Sequence, residues 1–366
     1  MKIALINNIY FPEGSGGGEM VVKHRAFQFA KEGHEVTIIV PGESKSTEQI
    51  GKSVTLVRFK PVHIFLYKNA SKYPWIIRLI WHVVDAFNLV TYFQIRSILK
   101  RRKPDKVECH NLKGVGFLIP SLMKALRISF VMYLHDIQLA IPSGILLFGE
   151  EKKQKNNGLF QRLYEKIIKS LVGSPDTVIF PSNWLHVFYE SRGFFKKSEK
   201  EILTHPSFDS GKIEAGLKEL QEKIKTEAEI HVVYVVKLEV YKGVVVLLSV
   251  WKLLSKNYYL SIYGAGSLEG LVLNTSNNDK RVTYQGHQTH EKIIPNVQQA
   301  DVLVMPTLCY ENRPEVILEA FNVGTPVIAS NLGGVTELIK DGATGILFTP
   351  GNVEGLVSIF KNGKKK

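Results

Sequence analysis

The sequence predicts an α/β protein built as two domains, and three observations carry that reading. At 366 residues the chain is long for a single hydrophobic core. Short apolar runs alternate with helical patterns from one end to the other, which argues α/β with ligands at the carboxyl ends of strands. Several of those runs are β-branched at consecutive positions, as expected for parallel strands buried on both faces.

In the first half the expected strands are 3–6, 36–40, 54–59, 130–134 and 177–180. In the second half they are 232–236, 259–263, 281–284, 302–305 and 327–329. His205-Pro206 interrupts regular structure, residues 211–228 form a Lys/Glu-rich helical stretch expected to lie exposed, and a new strand pattern starts at Ile230. The expected organisation is therefore a domain over 1–205, a linker region over 206–228 and a second domain over 229–366. The tail 361–366 is polar and expected to be solvated.

Hydrophobic content of 45% and charged content of 22% are ordinary for a soluble globular protein. The net charge of +13 implies attraction to something anionic: nucleic acid, acidic lipid headgroups or phosphorylated substrates. A basic surface kept for solubility is the other reading. Cys109 and Cys309 are far apart and in no Cys-x-x-Cys pattern, so neither a disulfide framework nor a cysteine metal site is expected, and a reducing compartment fits. The N-terminal apolar run is broken by Asn7 and Asn8, unlike a signal peptide. No uninterrupted apolar segment approaches the length needed to span a bilayer.

The segment 60–106 carries ten Lys/Arg against two Asp, with apolar residues at 76, 80, 83, 84 and 87 in helical spacing. Trp75, Trp81, Tyr92 and Phe93 enrich it in aromatics, and Arg101-Arg102-Lys103 closes it. It reads either as a peripheral surface meeting an anionic membrane or as an amphipathic helix pair packed on the sheet. Nucleic acid is not the expected partner, because no recognisable nucleic-acid module accompanies the charge.

The densest chemistry lies in Glu311-Asn312-Arg313-Pro314-Glu315-Val316-Ile317-Leu318-Glu319, between two strand-like runs and ahead of Gly333-Gly334. Two carboxylates, Glu311 and Glu319, stand eight residues apart in a strand–loop–helix–strand unit. Carboxylates accept paired hydrogen bonds from vicinal diols, the feature common to ribose and hexoses. Alternatively, acidic residues near a helix N-terminus serve its dipole. Glycines after a strand let backbone N–H groups approach phosphate oxygens without a Cβ in the way, although a plain turn has the same composition. Tyr263-Gly264-Ala265-Gly266 also follows a strand, but Glu269 stands where a dinucleotide fingerprint would place its third glycine.

Together these residues closely resemble the donor site of the family 4 retaining glycosyltransferases. That family shares the GT-B fold, two Rossmann-like domains facing each other across a cleft. The resemblance extends over nearly the whole chain and is strongest from Val302 to Gly351. It implies that Glu319 holds the nucleotide ribose and that Glu311 contacts hydroxyls of the transferred sugar. The loop Asn312, Arg313, Pro314, Glu315 and Val316 would complete the sugar pocket, with Pro314 preorganising it and no role assigned to the Arg313 side chain. Gly333 and Gly334 would lie near the diphosphate, and Gly264 would belong to the family's Gly-x-Gly turn. The family pattern Gly-Arg-Leu, three residues, Lys-Gly corresponds to Val236-Lys237-Leu238 and Lys242-Gly243. Lys242 matches. Lys237 replaces the arginine and so lacks its bidentate fork, while Val236 puts a branched side chain where the family has glycine.

In the first half, Pro12 to Glu19, including Gly17 and Gly18, resembles the family's opening, a loop that contacts donor phosphate or acceptor. A mobile surface loop is the alternative. His110 and His135 each end an apolar run. By resemblance His135 contacts the donor sugar and His110 lies nearer the acceptor. Ser182 is expected to cap the helix that follows it.

The implied activity is retaining transfer of a hexose from a UDP- or GDP-sugar to an acceptor hydroxyl, in surface-glycan or glycolipid synthesis. It implies front-face substitution, with Lys237 and Lys242 holding the charge on the leaving phosphate. The implied partners are a nucleotide diphosphate sugar and a glycan or lipid-linked acceptor. No Asp-x-Asp motif is present, so no metal is expected, and no cofactor beyond the donor substrate. A cytoplasmic location, peripheral at the inner face of the membrane, is the corresponding expectation. Family members usually continue for a further pair of helices, against which this sequence reads as short at its C-terminus. The altered Val236 and Lys237 keep open a non-catalytic nucleotide-sugar-binding subunit with a degenerate diphosphate site. A sugar-nucleotide epimerase is a further alternative. A phosphorylase would need a pyridoxal-binding lysine motif that the sequence lacks.

Overall fold

The computed structural model describes residues 1–12, 17–62, 65–66, 69, 73–153, 158–203, 206 and 208–363, with backbone alone at 75, 78 and 79. The chain forms two compact units. The first comprises Met1–Gly144 and Gln154–Leu203, and the second comprises Ile145–Lys153 and Thr204–Lys366.

The sheet of the first unit contains β1 (Lys2–Ile6), β2 (Glu35–Pro41), β3 (Ser46–Gly51), β4 (Val54–Phe59), β5 (Lys106–Cys109), β6 (Ser129–Tyr133), β7 (Thr177–Phe180) and β8 (Glu199–Ile202). Its order is β3-β4-β2-β1-β5-β6-β7-β8, parallel except for β3 against β4. Six helices belong to this unit among the described residues: α1 (Gly17–Lys31), α2 (Trp75–Ala86), α3 (Leu89–Arg102), α4 (Ile119–Leu126), α5 (Leu159–Val172) and α6 (Asn183–Glu190). Val22 and Ala26 of α1 pack on Ile3, Leu5, Val36 and Ile38. Strand order reverses between β1 and β5, so the loops after these two strands flank the crevice where open α/β sheets bind ligands.

The sheet of the second unit contains β9 (Ile230–Val235), β10 (Tyr258–Tyr263), β11 (Val282–Gly286), β12 (Val302–Met305), β13 (Val327–Ser330) and β14 (Gly345–Phe348). Its order β11-β10-β9-β12-β13-β14 is all parallel and is the doubly wound arrangement of dinucleotide-binding folds. The switch point lies between β9 and β12. Helices α7 (Ser210–Lys225), α8 (Val244–Trp251) and α13 (Val353–Asn362) cover one face, where Leu217, Leu247, Trp251 and Phe360 share a core cluster. Helix α9 (Glu269–Asn278) adds Val272 to that cluster. Helices α10 (His290–Gln299), α11 (Glu315–Val323) and the short α12 (Val335–Leu338) cover the other, through Val297, Ile317, Phe321 and Val335.

Four strands lie where the sequence offers little signal. β3 and β8 are edge strands whose residues are mostly exposed, so polar side chains occupy both faces. β5 carries Glu108 in its middle, buried but ion-paired. β14 contributes only four residues. The stretch expected as an exposed linker helix is also different. In α7, Ile213, Leu217, Leu220 and Ile224 recur along one stripe and are buried against the second sheet, while the Lys and Glu residues take the outer face. A second departure from the expected boundaries is Ile145–Lys153, which packs with the second unit. Leu147 bridges Cys309, the Phe148 amide donates to the Leu308 carbonyl at 2.9 Å, and the Tyr310 amide donates to the Leu146 carbonyl at 2.9 Å. These bonds pair it, in strand fashion, with the loop after β12.

Candidate active site

In the second unit the loops after β9 and β12 meet at the switch point. The β9 loop turns through a short 3₁₀ segment, Val240–Lys242, and enters α8 at Gly243. This delivers the Lys242 ammonium to the Glu311 carboxylate in a short ion pair, Nζ to Oε1. Burial alone would lower the Lys242 pKa, but the Glu311 charge outweighs it and holds the ammonium protonated. Glu311 Oε1 also lies 3.4 Å from Thr307 Oγ1 and 3.4 Å from Cys309 Sγ. Burial, reinforced by the Glu311 charge, pushes the Cys309 thiol up to about 12, so it stays a neutral donor.

The backbone of Glu311 is held as firmly as its side chain. The Gly334 amide donates to the Glu311 carbonyl at 2.8 Å. Gly333 adopts φ +60°, and a Cβ there would sit 2.4 Å from the same carbonyl oxygen. The two glycines therefore clamp the Glu311 loop, and the Gly334 N–H is spent on it rather than directed at a phosphate. Gly264 serves similarly: a Cβ there would sit 2.0 Å from the Val236 carbonyl oxygen, so the turn after β10 packs directly on the β9 loop.

Helix α11 starts at Glu315, behind Pro314 as its N-cap residue. Glu319 thus lies one turn inside the helix and pairs with His290 of α10, Oε1 to Nε2 at 3.0 Å. Glu315, four residues before it on the same face, is pushed up by burial and by the neighbouring Glu319 charge, against the opposing pull of Arg313. Asn312 is buried, and Arg313 Nε is buried without a hydrogen-bond partner among the described residues. Lys237 stands apart from this cluster of contacts. Its side chain is 66% exposed and its Nζ lies 3.9 Å from Glu239.

In the first unit the loops after β1 and β5 lie at the corresponding switch point. Residues 13–16 of the Gly-rich opening fall outside the described residues, while Gly17 and Gly18 form the first residues of α1. A Cβ on Gly18 would lie 3.6 Å from Asn111 Nδ2 and 3.8 Å from His135 Nδ1. His110 Nδ1 is 2.9 Å from His135 Nε2, and His110 Nε2 is 3.1 Å from Glu108 Oε1. Arg25 of α1 reaches the same carboxylate with both Nε and Nη2. Burial of Glu108 would raise its pKa, but the adjacent His110 and the two hydrogen bonds from Arg25 outweigh it and hold the carboxyl at about 2. Burial, with His110 adding to it, keeps His135 well below the usual imidazole range and hence neutral. Both His110 nitrogens thus face protein groups and the side chain is buried, so the expected direct acceptor contact gives way to a supporting place behind His135. The histidines line a small pocket with Asn111, Lys113, Asp136 and Gln138. Burial raises Asp136 to about 6, opposed by the Gln138 amide and Lys113.

Ser182 caps α6 as expected, its Oγ accepting from the Leu185 amide at 3.2 Å. The support that sequence reasoning missed is the carboxylate Glu108, its partner Arg25, the Ile145–Lys153 brace and His290. A glutamate inside an otherwise apolar strand was a visible signal for the first; the others are contacts made only by folding.

Residues 15–197 match the family Glycosyltransferase Family 4, and residues 229–361 match Glycosyl transferases group 1. The chain belongs to the family 4, group 1 glycosyltransferases. A relative of this glycosyltransferase is an uncharacterized 42.6 kDa protein in the cps region of Klebsiella pneumoniae, 24% identical over 93% of this chain and 88% of its own length. Among solved structures, sucrose-phosphate synthase from Thermosynechococcus elongatus is similar with TM-score 0.70 and 18% identity, over 98% of this chain and 88% of that one. HepE of Anabaena, solved with UDP, is similar with TM-score 0.64 and 17% identity, over 98% of this chain and 89% of that one. The fold of the glycosyltransferase is therefore GT-B.

Among its described residues no helix is long and apolar enough to cross a membrane. On α2 and α3, however, Ile76, Ile80, Val83, Leu89 and Phe93 are each more than half exposed, as is Phe87 between the helices. Trp81, one of the aromatics of this segment, is buried against Phe65, with its ring N–H donating to the Phe65 carbonyl at 2.8 Å.

Proposed function

We propose that this glycosyltransferase moves a hexose, with retention, from a UDP- or GDP-sugar to an acceptor hydroxyl in surface-glycan or glycolipid synthesis. The observation that carries the proposal is the Lys242–Glu311 ion pair at the switch point of a doubly wound sheet, with Glu319 further along α11. In this reading Glu319 leaves His290 to take the ribose diol, and Glu311 takes hydroxyls of the transferred hexose. Lys242, freed by sugar binding to turn toward the diphosphate, balances the charge that grows on the leaving phosphate. Lys237, exposed on the same loop, supplies the second cation. The leaving phosphate takes up the acceptor proton in a front-face substitution, which needs no protein nucleophile and no metal. The HepE complex with UDP supports a uridine nucleotide, and the relative in a cps region supports a glycan product.

The first test is thermal stabilisation by UDP-, GDP-, ADP- and CMP-sugars, repeated with Glu319→Ala, because a ligand that binds the native state raises its melting temperature. A shift with one nucleotide class, lost in the variant, is the expected result. No shift with any of them removes the transferase reading. Binding without turnover would instead select the non-catalytic subunit that Val236 and Lys237 keep open. Chelator-insensitive turnover is expected, and loss of activity in EDTA would overturn the metal-free mechanism.

The exposed apolar residues of α2 and α3, with Lys100, Arg101 and Lys103 at the C-terminal end of α3, support peripheral binding to an anionic bilayer that presents a lipid-linked acceptor. Sedimentation with vesicles containing anionic lipid should fall sharply in Ile80→Glu/Phe93→Glu, and equal binding by both proteins would refute this surface.

A further inference from the structure

The loop that carries Glu311 is clamped on one side by Gly333 and Gly334. On the other side it meets residues that the proposed mechanism leaves unused, the Ile145–Lys153 brace. We infer that this brace is a positioning element for Glu311, latched by Glu151 on Tyr310, and that recognition and transfer of the donor's hexose depend on it while binding of the nucleotide does not. The inference rests on the reading of Glu311 as the sugar contact and adds what sets the position of that carboxylate.

The sequence of the brace explains its shape. Ile145-Leu146-Leu147-Phe148 is an apolar run between Gly144 and Gly149, and both glycines adopt positive φ, +70° and +75°. The chain can therefore turn sharply at each end of a short extended piece. After Phe148 it folds back, with the Glu150 amide donating to the Leu147 carbonyl at 3.0 Å. The turn brings the Glu151 carboxylate to two donors: Oε1 accepts from the Gly149 amide at 2.9 Å and from the Tyr310 hydroxyl at 2.8 Å. Burial, with Glu151 adding to it, raises Tyr310 to about 12, so the phenol keeps the proton it donates.

The extended piece pairs antiparallel with the residues that lead into Glu311. Leu147 stands opposite Cys309. The bonds from the Phe148 amide to the Leu308 carbonyl and from the Tyr310 amide to the Leu146 carbonyl, both 2.9 Å, flank that pair. In a pair so flanked, the two side chains lie close together on one face. It is the face of Glu311: alternate residues of an extended segment point the same way, and Thr307 Oγ1 and Cys309 Sγ each lie 3.4 Å from Glu311 Oε1. The segment is also bonded along its opposite edge, where the Leu308 amide donates to the Tyr241 carbonyl at 2.8 Å. Tyr241 immediately precedes Lys242, so residues 308–310 lie between the loop that supplies the ammonium and the brace. Loss of the brace would strip the Leu308 carbonyl and the Tyr310 amide of these bonds and leave one edge of the approach to Glu311 unpaired. Glu319 is fixed separately, on α11 against His290, so the ribose contact does not rely on the brace.

The test compares variants of the full chain by hydrogen exchange and by donor kinetics. Phe148→Pro removes the amide that reaches Leu308. Tyr310→Phe removes the hydroxyl that reaches Glu151 and keeps the ring, and it carries both measurements should Phe148→Pro not fold. The exchange probe is the Gly334 amide, which bonds to the Glu311 carbonyl from the far side of the loop. It should exchange about 2–10-fold faster in the variants, as the loss of one hydrogen bond allows, while amides of β10 keep the wild-type rate. An unchanged Gly334 rate in both folded variants overturns the inference. In kinetics, kcat should fall about 10–100-fold in Phe148→Pro, the cost of misplacing a binding group by up to about 1 Å, and less in Tyr310→Phe. Affinity for UDP or GDP, measured by calorimetry with whichever the wild type takes, should stay the same. A brace that only stabilises the fold would lower the melting temperature and leave kcat per folded molecule alone. That result, or equal losses of nucleoside diphosphate and sugar-nucleotide binding, would refute the positioning role. Glu151→Gln keeps a carbonyl acceptor for both donors and should recover most of the rate that Glu151→Ala loses; equal rates in the two would remove Glu151 as the latch. If the chain binds no nucleotide sugar, the transferase reading fails, while the Gly334 rate still decides whether the brace holds Glu311.

Discussion

Replacing Gly333 by alanine tests how the Glu311 loop is held. The new Cβ would stand 2.4 Å from the Glu311 carbonyl oxygen and 3.2 Å from its nitrogen, both backbone atoms that cannot rotate aside. To reach ordinary contact the loop must retreat by at least about half an ångström. The backbone at 333 is left-handed, φ +60°, which costs a residue with a Cβ about 1–2 kcal/mol. Weakening the Gly334–Glu311 hydrogen bond adds about 1 kcal/mol. The smaller entropy of the unfolded alanine chain returns about 0.4–1 kcal/mol. A net loss of about 2 kcal/mol lowers the melting temperature by about 4–8 °C for a unit of this size. The effect on chemistry is larger, because misplacing a sugar-binding carboxylate by about 1 Å costs roughly 100-fold in rate. Gly342→Ala is the control: φ is +79° there, and a Cβ meets nothing within 4 Å. It carries the conformational cost without the collision, so it should lower the melting temperature slightly and leave turnover intact. Calorimetry and initial-rate assays on both variants decide the matter. Equal losses of activity in the two would refute the collision argument.

Other expectations follow from the same contacts. Lys242→Met should lower kcat about 100–1000-fold, as removal of a charge-stabilising group does, and destabilise the second unit by leaving Glu311 without its cation. Adding Glu311→Gln should restore much of that stability in a double-mutant cycle but not the activity; strictly additive melting shifts would contradict the pair. Lys237→Ala should change stability by no more than about 0.5 kcal/mol, because the side chain is exposed and its pairing is long, while raising KM for the donor most at low salt. An unchanged KM would remove Lys237 from the diphosphate site. Glu108 is held at about 2 in the native state, below the range of an unfolded glutamate. A depressed carboxylate pKa stabilises the fold above about pH 4.5, and that contribution is lost as pH falls from there toward 2. Acid titration of stability should therefore be steeper in the wild type than in Glu108→Gln, and parallel curves would refute the assignment.

The site was legible in sequence to different depths. Glu311, Glu319 and the glycine pair lie within a recognisable strand–loop–helix unit and Lys242 matches the family pattern, so resemblance, together with the rule that ligands sit at the carboxyl ends of strands, pointed to them. Helix α7 was misread because its four buried residues, Ile213, Leu217, Leu220 and Ile224, are diluted by charges on the outer face. The place of Trp81 was left open because an aromatic in an amphipathic segment looks the same whether it faces solvent or Phe65. His110 was placed at a strand end correctly, but its neighbours were not foreseen.

What the sequence determined by itself is most of the elements and their order along the chain. Short apolar runs, β-branched at consecutive positions, specify buried parallel strands, and right-handed crossovers leave few ways to arrange them. Loop residues after β9 and β12 consequently gather at a switch point before any contact is known. Only the tertiary structure decided which groups touch: Lys242 with Glu311, His290 with Glu319, Arg25 with Glu108, and Leu147 with Cys309. Each partner comes from a different element, and the two residues of Leu147–Cys309 are separated by most of a domain's length. Periodicity reports which face of an element is buried, but not what lies opposite. Those pairings depend on register, helix rotation and loop path, which are set when the core packs and the buried charges must find partners.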